Sequence, residues 1–421
     1  MTVADISIWL YNLALIPVVA FSVLFIILVG TNLLVDRKSP ARKTDPTFTP
    51  RVTIQIPSFN DPVAERCVLA CLELDYPKDL FDIMIVDDST DVSTQKRLKG
   101  LAKKHDRVSY VHRVNREGYK PGALRDAMHL VRGEFIVIFD ADFVPKKEFL
   151  REIVQPFKDE KVAIVQGRQA FLNKDVNLVS RFAAYLLMVH HYIYMPINDH
   201  VNAVFFCGTA GALRKSAIEE VGGWNAASVT EDSDLSVKIL AKGYRALYIP
   251  IDTPSEVPVT LENFIKQQMR WSFGNVRVFF DHTKDILFSR KFSFGQRAMI
   301  SFFTLGNFLA PAVILMTIFG FMGWFFGAPE LFGWQDIGIF AFKIIITAGF
   351  LVLALVMLLK AKRVREFPTL LLAAVSVSLI LAVVNTYAIY RAVFHPQKPL
   401  FSSQKNSWIC TPKSGNEEFH A

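Results

Sequence analysis

Phe135-Ile-Val-Ile-Phe139-Asp140-Ala141-Asp142 runs five apolar residues straight into a pair of carboxylates. A short, fully apolar run bounded by polar residues reads as a strand buried on both faces. Such strands belong to parallel sheets covered by helices. The same reading extends upstream. Val52–Ile56 is a strand ending at Pro57-Ser-Phe-Asn60, and Asp82–Val86 is another closing on Asp87-Asp88-Ser89. A further strand covers Arg107–His112. Between them lie helical stretches over Glu65–Leu74, Thr94–Lys104 and Gly122–Leu130. Alternating strands and helices predict an α/β fold with a mainly parallel, Rossmann-like sheet. Ligands in such sheets bind beyond the carboxyl ends of the strands, which puts Asn60, Asp88 and Asp140 on one rim.

This soluble-looking stretch is flanked by a different kind of sequence. The chain has 421 residues, of which 52% are hydrophobic and 36 are Phe. Four apolar runs, Ile6–Val35, Ala298–Gly327, Ile337–Leu359 and Phe367–Val393, each reach the ~20 residues a membrane-crossing helix needs. The first run is longer than a secretory leader and has no basic residue before it, so it reads as a retained anchor. The net charge of +8 comes from Lys and Arg beside the runs. Arg37, Lys38, Arg42, Lys43, Arg290, Lys291, Arg297, Lys360, Lys362, Arg363 and Arg365 mark one membrane side. Segment 329–336 has neither Lys nor Arg and falls on the other. By the positive-inside rule the central domain is cytosolic and the N-terminus exterior. Charge placed this way does not indicate nucleic acid, and some of it suits anionic lipid headgroups.

Three polar motifs carry chemistry. Asp140 and Asp142 directly follow a buried strand, where two carboxylates repel unless a hard divalent cation joins them. Thr230-Glu231-Asp232 opens a helix, and Thr230 is a good residue type for its N-cap. Asp232 is either a first-turn acid that suits the helix dipole or a general base. Gln267-Gln-Met-Arg270-Trp271 lies on an amphipathic stretch, Leu261–Val278, just before the membrane. Its Arg and Trp suit either a membrane interface or a phosphate and a sugar ring. Lys120-Pro-Gly-Ala-Leu-Arg125 is an ordinary helix entry or a phosphate contact. Phe205-Phe206-Cys207-Gly208-Thr209-Ala210-Gly211 is a turn that is tightly packed or close to a ligand. Cys67 and Cys71, four apart, read as buried small side chains, and His190-His191 as packing.

Taken together, these strings resemble the family 2 inverting glycosyltransferases, in the cellulose-synthase-like membrane branch. The resemblance rests on Pro57–Asp61, Val86–Ser89, Lys120–Leu124, Asp140–Asp142, Phe205–Thr209, Thr230–Asp232 and Gln267–Trp271. It implies a GT-A domain combined with transmembrane helices. It also implies that Asp88 and Asp61 contact the nucleoside end of a UDP-sugar, and that Lys120 and Glu231 join the substrate site. Asp140 and Asp142 would hold Mg or Mn with the diphosphate, and Asp232 would be the base. Gln267, Arg270 and Trp271 would organise the diphosphate and the acceptor. Phe206, Cys207, Gly208 and Thr209 would border the acceptor terminus. Asp61 stands where many relatives carry Glu. Trp408-Ile-Cys-Thr-Pro-Lys413 partly resembles the gating segment of cellulose synthases, which implies that Thr411 and Lys413 reach the nucleotide.

The expected organisation is an anchor over 1–36, a cytosolic GT-A domain over 37–254 and interface helices over 255–296. A membrane region over 297–394 and a cytosolic tail over 395–421 follow. The region holds two spans plus a third segment, 367–393, that is long enough to span or is interfacial or re-entrant; only the latter keeps the tail inside, and Arg391, Lys398, Lys405 and Lys413 favour it. The expected activity is metal-dependent hexosyl transfer from a UDP-sugar to a β-linked polysaccharide at the plasma membrane, with a single lipid acceptor as the alternative.

Overall fold

A computed structural model describes residues 1–38, 45–327 and 345–397, with 338 and 342 between the last two. Its centre is a seven-stranded sheet in the order β3-β2-β1-β4-β6-β5-β7. The strands are β1 (Val52–Ser58), β2 (Phe81–Asp87), β3 (Val108–His112), β4 (Phe135–Ile138), β5 (Val162–Phe171), β6 (Gly211–Arg214) and β7 (Arg245–Ser255). β1, β2, β3 and β4 run parallel, as do β5 and β7, while β6 is antiparallel to both of its neighbours. Ile54, Ile56, Ile83, Ile85, Phe135 and Val137 are fully or almost fully buried. Each such side chain contributes about 1.5–3 kcal/mol of transfer free energy, so the apolar runs hold the sheet together. The expected helices form at Ala64–Leu72, Val92–Lys104 and Tyr119–Ala127.

Among the described residues, three apolar helical segments, Val3–Val35, Phe294–Phe325 and Val364–Phe394, are long enough to cross a membrane. A shorter apolar helix covers Gly349–Lys360. Segment 367–393 forms most of one unbroken helix, Phe367–Phe394. Its length and apolarity suit a span, where flanking charge favours an interfacial position. Helix Phe367–Phe394 packs along Leu261–Asp281, joined by Phe273, Val276, Ala388, Ile389 and Ala392.

A second seam ties the apolar helices to the sheet domain. Helix Leu178–Val189 widens into a π turn at His190–Tyr194 before continuing as Met195–Val201. A π turn misaligns the helical ladder and leaves carbonyls to be satisfied from outside. Asn32 of helix Val3–Lys38 donates its amide to the carbonyls of Tyr192 (3.1 Å) and Ile193 (2.8 Å). Lys360 donates to Asn32 Oδ1 at 2.7 Å and to the Tyr192 carbonyl at 2.9 Å.

Candidate active site

The strand-end rule brings most of the expected residues into one cleft of about 190 Å3. Asp61, Asp88, Asp140 and Asp142 reach it from the loops after β1, β2 and β4, and Lys120 reaches it from the first turn of helix Tyr119–Ala127. Cys207, Gly208 and Thr209 form its floor before β6, and Glu231 and Asp232 enter at the start of helix Glu231–Lys242. Gln267, Arg270 and Trp271 close it from helix Leu261–Asp281.

Asn60 differs from the expectation. It is on the rim, but its side chain turns into the neighbouring loop, where Oδ1 accepts from the Thr90 and Asp91 N–H groups, both at 2.9 Å. Its φ of 49° is the left-handed turn that permits this. Phe206 also departs from the cleft: it is buried in the core and faces a second cavity. Thr411 and Lys413 lie outside the described residues.

Electrostatics explain how so many carboxylates coexist. Lys120 Nζ is 2.6 Å from Asp140 Oδ1 and 4.0 Å from Glu231 Oε1, and it donates to the Gly208 carbonyl at 2.9 Å. Burial pushes the Glu231 carboxyl up to about 7, and the neighbouring Asp232 charge adds to this against Lys120 and Arg270. Burial likewise raises Asp232. Asp142 is 1% exposed, and its Oδ2 accepts from the Glu256 N–H at 2.8 Å. Arg66 binds both the Asp142 carbonyl (3.1 Å) and Glu256 Oε1 (2.8 Å). Asp88 is gripped by Arg113 through two bonds of 2.8 and 2.6 Å, a bidentate fork that fixes the carboxylate's plane.

Among the described residues no group of three or more His, Cys, Asp or Glu forms a metal cage. Asp140 and Asp142 on one cleft wall do fit Mg2+ or Mn2+, which bind proteins through one or two carboxylates and complete their shell with phosphate and water.

Thr230 stands at the N-cap position but makes no side-chain cap bond, contrary to its residue type. It packs instead on Gly274, where a Cβ would sit 2.3 Å from Thr230 Cγ2. Only glycine lets helix Leu261–Asp281 approach the start of the Glu231–Lys242 helix so closely. Gly208, at φ +78°, plays a similar part: a Cβ there would be 3.0 Å from Asp232 Oδ2.

Beyond Asp232 lies a second cavity of about 470 Å3 among the apolar helices. Gln169, Leu187, Cys207, Asp232 and Trp271 line both spaces, so the two meet at Asp232. The second cavity's lining includes Gln268, Asn275, Ser378 and Asn385, from the packed helices Leu261–Asp281 and Phe367–Phe394, and Phe21, Phe302 and Phe350, whose rings cluster about Phe25.

Several residues that line the cleft or brace its lining escaped the sequence reading. Arg113 and Glu256 each directly follow a strand, β3 and β7, so the rule that selected Asp140 also reaches them. Arg116, whose guanidinium is 3.3 Å from the Phe59 ring centroid, carries no such signal.

A family profile described as "Glycosyltransferase like family 2" matches residues 50–274. The chain belongs to this glycosyltransferase family. A "Cellulose synthase" profile matches residues 214–362. Similar relatives are glucomannan 4-beta-mannosyltransferase 2 of Arabidopsis thaliana and glucomannan 4-beta-mannosyltransferase 1 of Oryza sativa subsp. japonica. The first is 35% identical over 275 residues, 62% of this chain and 51% of the relative. The second is 34% identical over 278 residues, 63% of this chain and 53% of the relative. The chain thus spans about half the length of these curated relatives. The mannosyltransferase PcManGT from Pyrobaculum calidifontis, solved in complex with GDP-Man and Mn2+, superposes with a TM-score of 0.58 at 22% identity. That match covers 85% of this chain and 98% of the neighbour. In this family 2 chain the expected GT-A-like α/β domain, joined to apolar helices, is therefore the fold.

Proposed function

We propose that this family 2 glycosyltransferase transfers a hexosyl unit, with inversion, from a nucleoside diphosphate sugar to the end of a β-linked glycan. The observation that carries the reading is the position of Asp232, on the wall shared by a charged cleft and a cavity lined by both amides and aromatic rings. A β-linked sugar chain has that same duality: hydroxyl edges for amides and C–H faces for aromatic rings. The donor would occupy the charged cleft and the acceptor end the junction, between Trp271 and Cys207.

In the transfer, the acceptor oxygen attacks the anomeric carbon from the face opposite the phosphate. The bond from that carbon to the diphosphate breaks, and Asp232 takes the acceptor's proton. Arg270 and Lys120 face the departing diphosphate, where preorganised cations stabilise developing charge. Asp88, locked by Arg113, and Asp61 bind the nucleoside. Gln267 and Glu231 shape the wall beside the base, and Gly208 and Thr209 the floor. Asp140 and Asp142 would hold Mg2+ or Mn2+, which when bound neutralises the leaving diphosphate.

The names of the relatives place a mannosyl donor at the head of the test, ahead of the UDP-hexose the resemblance implies. The reading includes a cytosolic catalytic domain, from the charge bias around the apolar helices, and takes the plasma membrane as its site. Membrane lipids would surround those helices. The aromatic and aliphatic part of the second cavity's lining favours a second reading, a lipid-linked acceptor. The deciding experiment uses purified protein in nanodiscs with Mg2+ or Mn2+ and a panel of GDP- and UDP-sugars. It measures nucleotide release and analyses the reducing end of the product. Chains of several sugars support the leading reading, one sugar on lipid supports the second, and no release from any donor defeats both.

A further inference from the structure

The floor of the junction, Cys207–Thr209, touches Lys120, Asp140 and Asp232 of the proposed machinery. The Gly208 carbonyl accepts from Lys120, and the Thr209 hydroxyl accepts from the Asp140 N–H at 2.9 Å. The Gly208 α-carbon lies against Asp232, and Cys207 faces both cavities. Such a segment needs an external template, because no strand pairing covers it. Two buried side chains, neither lining either cavity, supply one.

Gln166 of β5 is 0% exposed. Its Oε1 accepts from the Cys207 N–H at 2.8 Å, and its Nε2 donates to the Thr209 carbonyl at 3.0 Å. The same amide reaches the Gly167 carbonyl at 3.1 Å and the Ala210 carbonyl at 3.3 Å. One side chain therefore holds both ends of the segment, an arrangement that needs one donor and one acceptor on a single group, as glutamine has. The β5–β7 register shifts just after Gln166. Ser236, also 0% exposed, works from the other side. Its hydroxyl accepts from the Phe206 N–H at 2.9 Å and donates to the carbonyl of Asp232 at 2.6 Å. A single oxygen thus links the residue that leads into the floor to the backbone of the base residue.

We propose that Gln166 and Ser236 are positioning residues that fix the junction floor relative to Asp232, so that an acceptor hydroxyl rather than water meets the anomeric carbon. The transfer part rests on the proposed function. With the floor loosened, water attacks instead: its oxygen bonds the anomeric carbon, the bond to the diphosphate breaks, and the proton goes to Asp232. The products are free sugar and nucleoside diphosphate.

The test compares Gln166→Met and Ser236→Ala with wild type and with Ile54→Val, a buried core change far from the floor in sequence. Two readouts are taken on the full chain in nanodiscs. One is the ratio of sugar hydrolysed to sugar transferred. The other is the rate of Cys207 alkylation, followed by peptide mass, which needs no turnover. Misplacement of a reacting group by about 1 Å can cost ~100-fold, so a partial loosening should raise the ratio about tenfold. Cys207 labelling should accelerate severalfold, with Ile54→Val changing neither. Thermal destabilisation with both readouts at the wild-type value would overturn the proposal and leave a structural role only. If Gln166→Met does not fold, Ser236→Ala decides by the same two readouts. A wild-type chain that releases no nucleotide removes the proposed function, and the labelling rate still decides whether the clamp exists.

Discussion

The two spaces that meet at Asp232 are built from opposite materials. The cleft on the sheet side is lined by Asp61, Asp88, Lys120, Asp140, Glu231 and Arg270, with most charges already paired inside the protein. Among the described residues the cavity on the membrane side has a carboxylate only at the junction, Asp232, and is otherwise lined by amides, hydroxyls, histidines, aromatic rings and aliphatic side chains. Charge can be kept in the first because strand ends and helix starts deliver several groups that neutralise one another. It would be costly among apolar helices, where few partners and little water are at hand. The difference suits a diphosphate on one side and an uncharged sugar chain on the other.

The contrast is broken most directly at the shared wall. Asp232→Asn should lower kcat by about 10²–10⁴-fold, the range for loss of a general base, with donor KM little changed, in a nucleotide-release assay. A variant with wild-type kcat would remove Asp232 as base. Arg270→Ala should cost about 10²–10³-fold, as for a lost stabiliser of transition-state charge, and saturating donor should not restore it. Trp271→Ala should act instead through acceptor KM, raising it about tenfold if its face is worth the ~1–1.5 kcal/mol of an aromatic contact; acceptor titration separates the two.

The pH profile sharpens the comparison further. Glu231 is pushed up to about 7 by burial and by Asp232, and Asp232 is itself raised. The base works ionised, so the rate should climb as pH rises through a range above the ordinary aspartate value and level beyond it. For stability, a raised folded pKa means the folded state binds the proton more tightly than the unfolded chain. That contribution is present below about 4.5, the ordinary carboxyl value, and is lost as pH rises through about 7. Thermal melts across that window should show the loss in wild type and less of it in Glu231→Gln.

The smallest expected effect lies farthest from the chemistry. Asn385 is 7% exposed, faces the second cavity and has an Oδ1 with no partner among the described residues. An unpartnered buried amide costs about 1–3 kcal/mol, so Asn385→Leu should raise the melting temperature slightly. It should also slow chain extension a few-fold while nucleotide release at the first transfer stays near wild type. Extension at the wild-type rate would argue that sugars do not reach this wall.

What the chain settles by itself is what short-range physics encodes. Five apolar residues ahead of Asp140 require a strand with both faces covered, and that rule put Asp88, Asp140 and Asp142 at strand ends. Long apolar runs likewise require a membrane or a thick core. Residue type failed where a contact arrives from far along the chain. Thr230 looks like a cap, but Gly274 is pressed against it, and packing overrides the local bond. Asn60 sits on the rim, but the loop after β2 captures its amide. Gln166 looks like an ordinary strand residue, because nothing local says that β5 shifts register beside the floor of the site. Arg113 and Glu256 were within reach of the strand-end rule, whereas Arg66 on helix Ala64–Leu72 was not. Local sequence determined the elements and the carboxylates at their ends. Tertiary structure decided which of those groups share a wall and which are spent on one another, because hydrogen bonds and ion pairs form by distance in space rather than along the chain.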